Sequence, residues 1–288
     1  MKMYEIVYKK TLKPTVYLID VMAPLVARKA QAGQFVILRV DGDGERIPLT
    51  VSGVDREVGT VRLIFRAVGL TTDKLAELEA GECLADIVGP LGKPTECEGV
   101  GRALVVGGGV GCAIALPIAQ KLAELGSEVT SVIGFRSSDF VILTEEFDAC
   151  SKKVCLVTDD GSEGERGNAC LPIKRMLEAG ERFDKAYLIG PLVMMKNVVE
   201  TLRPYGIPCV ASMAPIMIDG TGMCGGCRMT VIEDGRAVTK FACVDGPEFD
   251  GYTIDFDEAM ERSTMYSDFE RHKRDEHCNL LKEAGRVE

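Results

Sequence analysis

Toward its C-terminal end the chain carries an aspartate and three cysteines in the order Asp219-x4-Cys224-x2-Cys227-x15-Cys243. That spacing suits a bound metal cluster far better than a hydrophobic core. The stretch, DGTGMCGGCRMTVIEDGRAVTKFAC, places Gly220, Gly222, Gly225 and Gly226 among the candidate ligands. Glycine permits positive φ and lets backbone N–H groups approach bridging sulfides closely. One established 2Fe-2S spacing is C-x4-C-x2-C with a distant fourth cysteine, and here its first position is Asp219. The expected metal ligands are therefore Asp219, Cys224, Cys227 and Cys243. A carboxylate is harder than a thiolate, so Asp219 alters the redox potential of such a cluster. Two other readings use the same residues. A Cys3Asp zinc site would lack the paired C-x2-C knuckles of a structural ribbon, and a plain glycine-rich turn would leave buried thiols with Asp219 as a cap.

From Tyr4 to Cys97 the chain reads as short strands, YEIVYKK, TVYLIDVMA, QFVILRV, LTVSGVD and TVRLIFRAV, separated by Gly, Pro and Asp turns. This is the pattern of an antiparallel β barrel or sandwich. A helix is expected over Thr72–Ala80, with Asp73 in its first turn and Gly81 as its stop. After Gly101 the texture becomes α/β. RALVVGGGVG is a buried strand entering a glycine turn, and CAIALPIAQKLAELG is a helix. EVTSVIGF, VCLVTDD, KAYLIG and PCVASMA follow as strands, alternating with helices near 145–151, 169–179 and 194–205, which predicts an open parallel sheet. The domains are thus expected at residues 1–100 (β barrel), 101–212 (nucleotide-binding α/β), 213–252 (cluster module) and 253–288 (helical tail).

With 288 residues, of which 46% are hydrophobic, the chain supports sizeable cores. Its formal net charge of −10 argues against a nucleic-acid footprint and against attraction to an anionic membrane. The start, MKMYEIVYKKTLKP, lacks the apolar core of a signal peptide, and eleven cysteines in that setting point to a reducing cytoplasm. The eight outside the motif show no ligand spacing, and most are expected to be small buried hydrophobes. The only histidines, His272 and His277, lie in the charged segment RHKRDEHC, which argues against a Ser-His-Asp or Cys-His centre and places His277 and Cys278 on a solvated helix face.

Two nucleotide sites are expected. The turn Gly107, Gly108, Gly109, Val110, Gly111 lies between strand and helix, where bare N–H groups and the helix dipole can hold a pyrophosphate, and IGPLVMM provides a second turn at the same edge of the sheet. Arg136, Ser137 and Ser138 follow the next strand in place of the acidic residue that holds a free 2′-hydroxyl, a weak lean toward NADPH with a surface loop as the alternative. In the β-rich half, ERIPLTVS and FRAVGLTT offer strand hydroxyls and Gly69, Thr71 and Thr72 at a helix start, although a strand and an N-cap also explain them.

Taken together, ERIPLT, GPLG, APIM, DGTGMCG and CVDGPEFD resemble the ferredoxin reductase-like electron-transfer flavoproteins that include the iron–sulfur subunit of dihydroorotate dehydrogenase. The likeness covers nearly the whole chain, and it implies an FAD-binding barrel, an NAD(H)-binding domain and a C-terminal 2Fe-2S loop. The flavin segments fall on Ile47, Pro48, Leu49 and Thr50, with an arginine one place early at Arg46, on Ile64, Phe65 and Arg66, and on Gly69, Thr71 and Thr72. Within the family, dihydroorotate dehydrogenase subunits carry cysteine where Asp219 stands. The aspartate instead resembles the small subunits of NADH-dependent reduced ferredoxin:NADP oxidoreductases. That branch implies hydride exchange between NADH and FAD, and a heterodimer with a larger subunit holding a second flavin and 4Fe-4S clusters.

Overall fold

The computed structural model describes residues 2–283, with side chains through Glu276. Six antiparallel strands come first: β1 (Ile6–Lys13), β2 (Val16–Met22), β3 (Phe35–Arg39), β4 (Arg46–Asp55), β5 (Thr60–Arg66) and β6 (Asp86–Leu91). Their order is β1-β2-β5-β4-β3-β6. A bridge from Glu5 to Cys83, with the Ile6 N–H donating to the Glu82 carbonyl, brings the outer edges together and closes the sheet into a barrel. Alternate residues fill the interior, among them Ile19, Leu38, Leu63 and Phe65, and Phe65 stacks on Tyr17 with ring centroids 5.7 Å apart.

Two short helices, α1 (Pro24–Ala27) and α2 (Leu70–Glu77), interrupt the strands. The second starts two residues before the expected Thr72 and ends three before Ala80. Thr72 Oγ accepts the N–H groups of Val68 and Gly69 at 2.9 and 3.0 Å, so it caps the helix from inside the first turn. At the other end Leu78 is already extended, and Gly81, at φ +97°, turns the chain back to the barrel. The sixth strand is a further difference: Gly89 and Pro90 inside DIVGPL obscure its period in the sequence.

The second half forms a seven-stranded sheet of β7 (Arg102–Gly108), β8 (Glu128–Phe135), β9 (Lys153–Thr158), β10 (Glu165–Arg166), β11 (Lys185–Ile189), β12 (Cys209–Ser212) and a later strand, Glu248–Asp250. The order runs β10-β9-β8-β7-β11-β12 and then Glu248–Asp250; every neighbouring pair is parallel except that last strand, which is antiparallel. The helices α3 (Gly111–Glu124), α4 (Thr144–Cys150), α5 (Cys170–Glu178) and α6 (Leu192–Leu202) cover the sheet. Strand order reverses between β7 and β11, the position at which open α/β sheets bind ligands beyond their carboxyl ends.

Beyond β12, β13 (Arg228–Glu233) and β14 (Arg236–Phe241) pair in an antiparallel hairpin. Its turn residues, Asp234 at φ +51° and Gly235 at φ +74°, are the Asp-Gly signature of a two-residue hairpin, a legible signal that the strand reading above leaves unused. A short helix, α7 (Ala242–Asp245), leads into the added edge strand, β15 (Glu248–Asp250). The tail is a pair of helices, α8 (Phe256–Thr264) and α9 (Ser267–Glu283). Among the described residues no helix is long and apolar enough to cross a membrane.

The cysteines outside the motif are less buried than expected. Cys97, Cys112 and Cys209 are buried, Cys150, Cys155 and Cys170 are only partly so, and Cys83 is exposed. The side chains of His277 and Cys278 lie outside the described residues.

Candidate functional site

The glycine turn after β7 and the one after β11 lie back to back. Gly190 runs so close to Gly108 that a Cβ on Gly190 would stand 3.0 Å from the Gly108 Cα, and a Cβ on Gly111 would stand 2.7 Å from the Ile189 carbonyl oxygen. Neither position admits a side chain, which is why glycine stands at each. Gly109, at φ +56°, has open space where its Cβ would be. Above them opens a cleft of about 660 Å³, within the usual small-molecule range of roughly 300–1,000 Å³.

The cleft is lined from both halves of the chain. The barrel supplies Val16, Phe35, Pro48, Thr50 and Arg66; the parallel sheet supplies Gly108, Gly109, Val110 and Gly111 and, from the second turn, Gly190, Pro191 and Met194. Arg136 and Asp159 bring opposite charges to its wall at the ends of β8 and β9.

Period-two geometry explains which of the expected flavin residues reach the cleft. On β4, Pro48 and Thr50 line it while Ile47 and Leu49 pack toward the barrel core. On β5, Arg66 lines it, Phe65 is 1% exposed inside the barrel, and Ile64 is buried against the α/β half. Arg66 Nε is buried without a hydrogen-bond partner. Arg66 lines the cleft with a guanidinium whose N–H donors suit an anionic or carbonyl-bearing ligand, and the desolvation of its Nε is uncompensated within the protein. Gly107 is a packing glycine beneath the turn, where a Cβ would meet Cys112 Sγ at 2.9 Å. Gly69, Thr71 and Thr72 stand at the start of α2 and do not line the cleft; Thr71 Oγ donates to Glu45 at 3.2 Å.

Sequence reasoning missed part of the lining. Met213, Ala214, Met217 and Pro247 also face the cleft, although in the sequence APIM and CVDGPEFD carry only the family resemblance. They are the two roots of the cysteine loop: the Met213 N–H donates to the Pro247 carbonyl at 2.9 Å, and the Lys93 N–H donates to that of Gly246 at 2.7 Å. A signal existed in their flanking of the motif, but only folding carries them to the cleft.

In the loop itself, Cys227 and Cys243 are buried with their sulfurs 3.1 Å apart, well beyond the roughly 2.05 Å of a disulfide. Burial and the neighbouring Cys227 push the Cys243 thiol up to about 12. A cation beside that sulfur, as a metal cluster supplies, would favour its thiolate. Cys224 is exposed and its Sγ accepts the Gly226 N–H at 3.4 Å. Asp219 accepts the N–H groups of Thr221 and Cys224 at 2.8 and 2.7 Å, which hold its carboxyl below the usual carboxylate range. Among the described residues, no three metal-ligating side chains converge as they stand, so the structure joins two of the four expected ligands closely and leaves Cys224 and Asp219 at the loop surface. Gly220, Gly222 and Gly225 take positive φ as expected, whereas Gly226 does not. The donor set of three thiols and a carboxylate on a glycine-rich loop fits an iron–sulfur cluster.

A second hollow, of about 370 Å³, lies among Lys185, Cys209 and Tyr252 at the amino ends of β11 and β12, and holds none of the expected site residues.

Comparison with known proteins agrees with this arrangement. Residues 214–255 match the iron–sulfur cluster binding domain of dihydroorotate dehydrogenase B. A dihydroorotate dehydrogenase B electron transfer subunit homolog from Thermotoga maritima is 42% identical over 284 residues, 99% of this chain and 98% of that protein. The corresponding electron transfer subunit of Desulforamulus reducens is 30% identical over 84% of this chain and 93% of its own. Among solved structures, a chain of NADH-dependent reduced ferredoxin-NADP oxidoreductase, a flavin-based electron-bifurcating enzyme, superposes with a TM-score of 0.89 at 40% identity, covering 96% of this chain and 98% of that one.

Proposed function

Because this chain belongs to the family of dihydroorotate dehydrogenase B electron transfer subunits and their homologues, we propose that it is the NADH-facing subunit of an electron-bifurcating ferredoxin:NADP oxidoreductase. One observation carries the reading: barrel, glycine turns and the roots of the cysteine loop all line a single cleft. When bound, FAD accepts hydride from NADH, and a 2Fe-2S cluster exchanges single electrons. The chain's own residues orient and shield. Pro48, Thr50 and Arg66 form the flavin wall, Gly108 to Gly111 form the pyrophosphate turn, and Asp219, Cys224, Cys227 and Cys243 hold the cluster. Ile47, Leu49, Ile64 and Phe65 support that wall from behind. Gly69, Thr71 and Thr72 offer a separate helix start to the flavin phosphates.

The subunit works within a larger complex. Its partner, on this reading, carries a second FAD and 4Fe-4S clusters, and the complex is cytoplasmic. The second reading, service to an FMN-bearing dihydroorotate dehydrogenase, is favoured by the match over residues 214–255 and by the relatives' names. Co-purification separates the two by the partner recovered.

Anaerobic purification with iron, zinc and flavin analysis, then electron paramagnetic resonance after NADH or NADPH, tests the function. One FAD, about two irons and a binuclear signal on adding NADH are expected. Zinc without flavin would overturn the reading. A cluster reduced only by NADPH would reverse the nicotinamide assignment.

A further inference from the structure

The turn that follows β8 is gripped from the barrel at two points. Lys13 Nζ donates to the Ser138 carbonyl at 2.9 Å, and the Arg66 guanidinium lies over the Phe140 ring, 5.0 Å from its centroid. From its own side the turn is held by Ser162, whose Oγ accepts the Ser138 N–H at 2.8 Å and donates to Asp160 at 2.6 Å. Arg66 and Phe140 both line the cleft, one from each half of the chain.

With the guanidinium carbon over the Phe140 ring, one side of the group meets a π face that offers no oxygen acceptor, and its N–H donors are left to find acceptors elsewhere. The ring therefore limits the directions in which Arg66 can donate. Its Nε finds no acceptor in the protein. We infer that Phe140 is a positioning residue, holding Arg66 across the domain boundary so that the guanidinium edge receives an oxygen acceptor of a dinucleotide bound in the cleft. This rests on the flavin and nicotinamide reading above. The acceptor, phosphate or carbonyl, belongs to either dinucleotide, and the two are told apart by measurement.

The test uses the holoenzyme. Release of FAD on dilution, followed by flavin fluorescence, and the KM and kcat for NADH are measured for wild type, Phe140→Leu, Phe140→Tyr, Arg66→Met and the Phe140→Leu/Arg66→Met pair. Leucine keeps the bulk and removes the π face; tyrosine restores the face. Phe140→Leu is expected to speed FAD release, or to raise KM with kcat little changed, by about three- to tenfold. Phe140→Tyr should restore wild-type values, and the double variant should lose no more than Arg66→Met alone. A change in FAD release assigns the acceptor to the flavin dinucleotide; a change in KM assigns it to the nicotinamide dinucleotide. Wild-type behaviour of Phe140→Leu, an equal defect in Phe140→Tyr, or additive losses in the double variant would each overturn the inference. If Phe140→Leu fails to fold, Lys13→Met releases the same turn from outside the cleft and should give the same change, its absence counting against the clamp. A wild-type protein purified without flavin would instead defeat the proposed function.

Discussion

At the residue scale, the four side chains proposed to hold a cluster occupy unequal positions. Cys227 and Cys243 are buried and adjacent, so Cys227→Ser breaks the interior half of the donor set and is expected to abolish iron binding. Asp219 stands at the surface and also organises the loop through the Thr221 and Cys224 N–H groups. Asp219→Ala should lose the cluster or shift its potential while FAD stays bound. Iron content and a redox titration check both variants, and normal iron with an unchanged potential for Asp219→Ala would count against its ligand role. Gly111→Ala acts elsewhere: its Cβ would press on the Ile189 carbonyl, a backbone atom that cannot rotate away. A loss of about 1–3 kcal/mol is expected, read as a lower melting temperature and weaker nucleotide binding. The motif spacing and the glycine turns are legible in sequence because each draws on a narrow set of residue types, thiolate or carboxylate for the one and glycine for the other. The cleft roles of Met213 and Pro247 are not, because methionine and proline carry no chemistry that marks them.

At the element scale, β15 joins the cysteine loop to the rest. Its Glu248 accepts a hydrogen bond from Thr95 Oγ at 2.6 Å, tying the edge strand to the segment that leaves the barrel. Burial raises the Glu248 carboxyl above its ordinary value of 4.5, against the opposing effect of the Thr95 hydrogen bond. The folded state therefore binds this proton more tightly than the unfolded chain. Its contribution is fully present below 4.5 and is lost as pH rises through the raised value. Glu248→Gln should flatten that part of the curve of melting temperature against pH and leave the acid limb from other carboxylates in place. An unchanged curve would show that Glu248 titrates as an ordinary surface acid. Strands β4 and β5 are readable as β-branched and aromatic runs between turns, but such runs do not say which face is the cleft and which is the core.

At the scale of the whole molecule, the two tail helices behave differently. Helix α8 belongs to the body: Phe256 is buried, Glu258 accepts the Thr230 N–H at 3.2 Å, and Asp257 pairs with Lys196 on α6 at 2.6 Å. Helix α9 reaches the barrel, where Arg274 pairs with Asp73 on α2 at 3.0 Å. Truncation after Tyr252 should therefore loosen the β13–β14 hairpin and lower iron retention. Truncation after Thr264 should keep both cofactors, and if α9 is a subunit contact it should weaken co-purification of the larger partner. Met265, Tyr266 and Phe269, exposed around the start of α9, offer apolar surface to such a contact.

The sequence by itself determined the class of the molecule: strands of period two, then strands alternating with helices, then an Asp-x4-Cys-x2-Cys loop. These are local patterns, set by backbone geometry and ligand chemistry within a few residues. Tertiary structure alone decided that the turns after β7 and β11 lie side by side, that Arg66 crosses to Phe140, and that the loop's two roots meet at Met213 and Pro247. Those contacts join residues far apart in the chain. They are selected by strand order and by the burial of shared apolar surface, neither of which is written in any single segment.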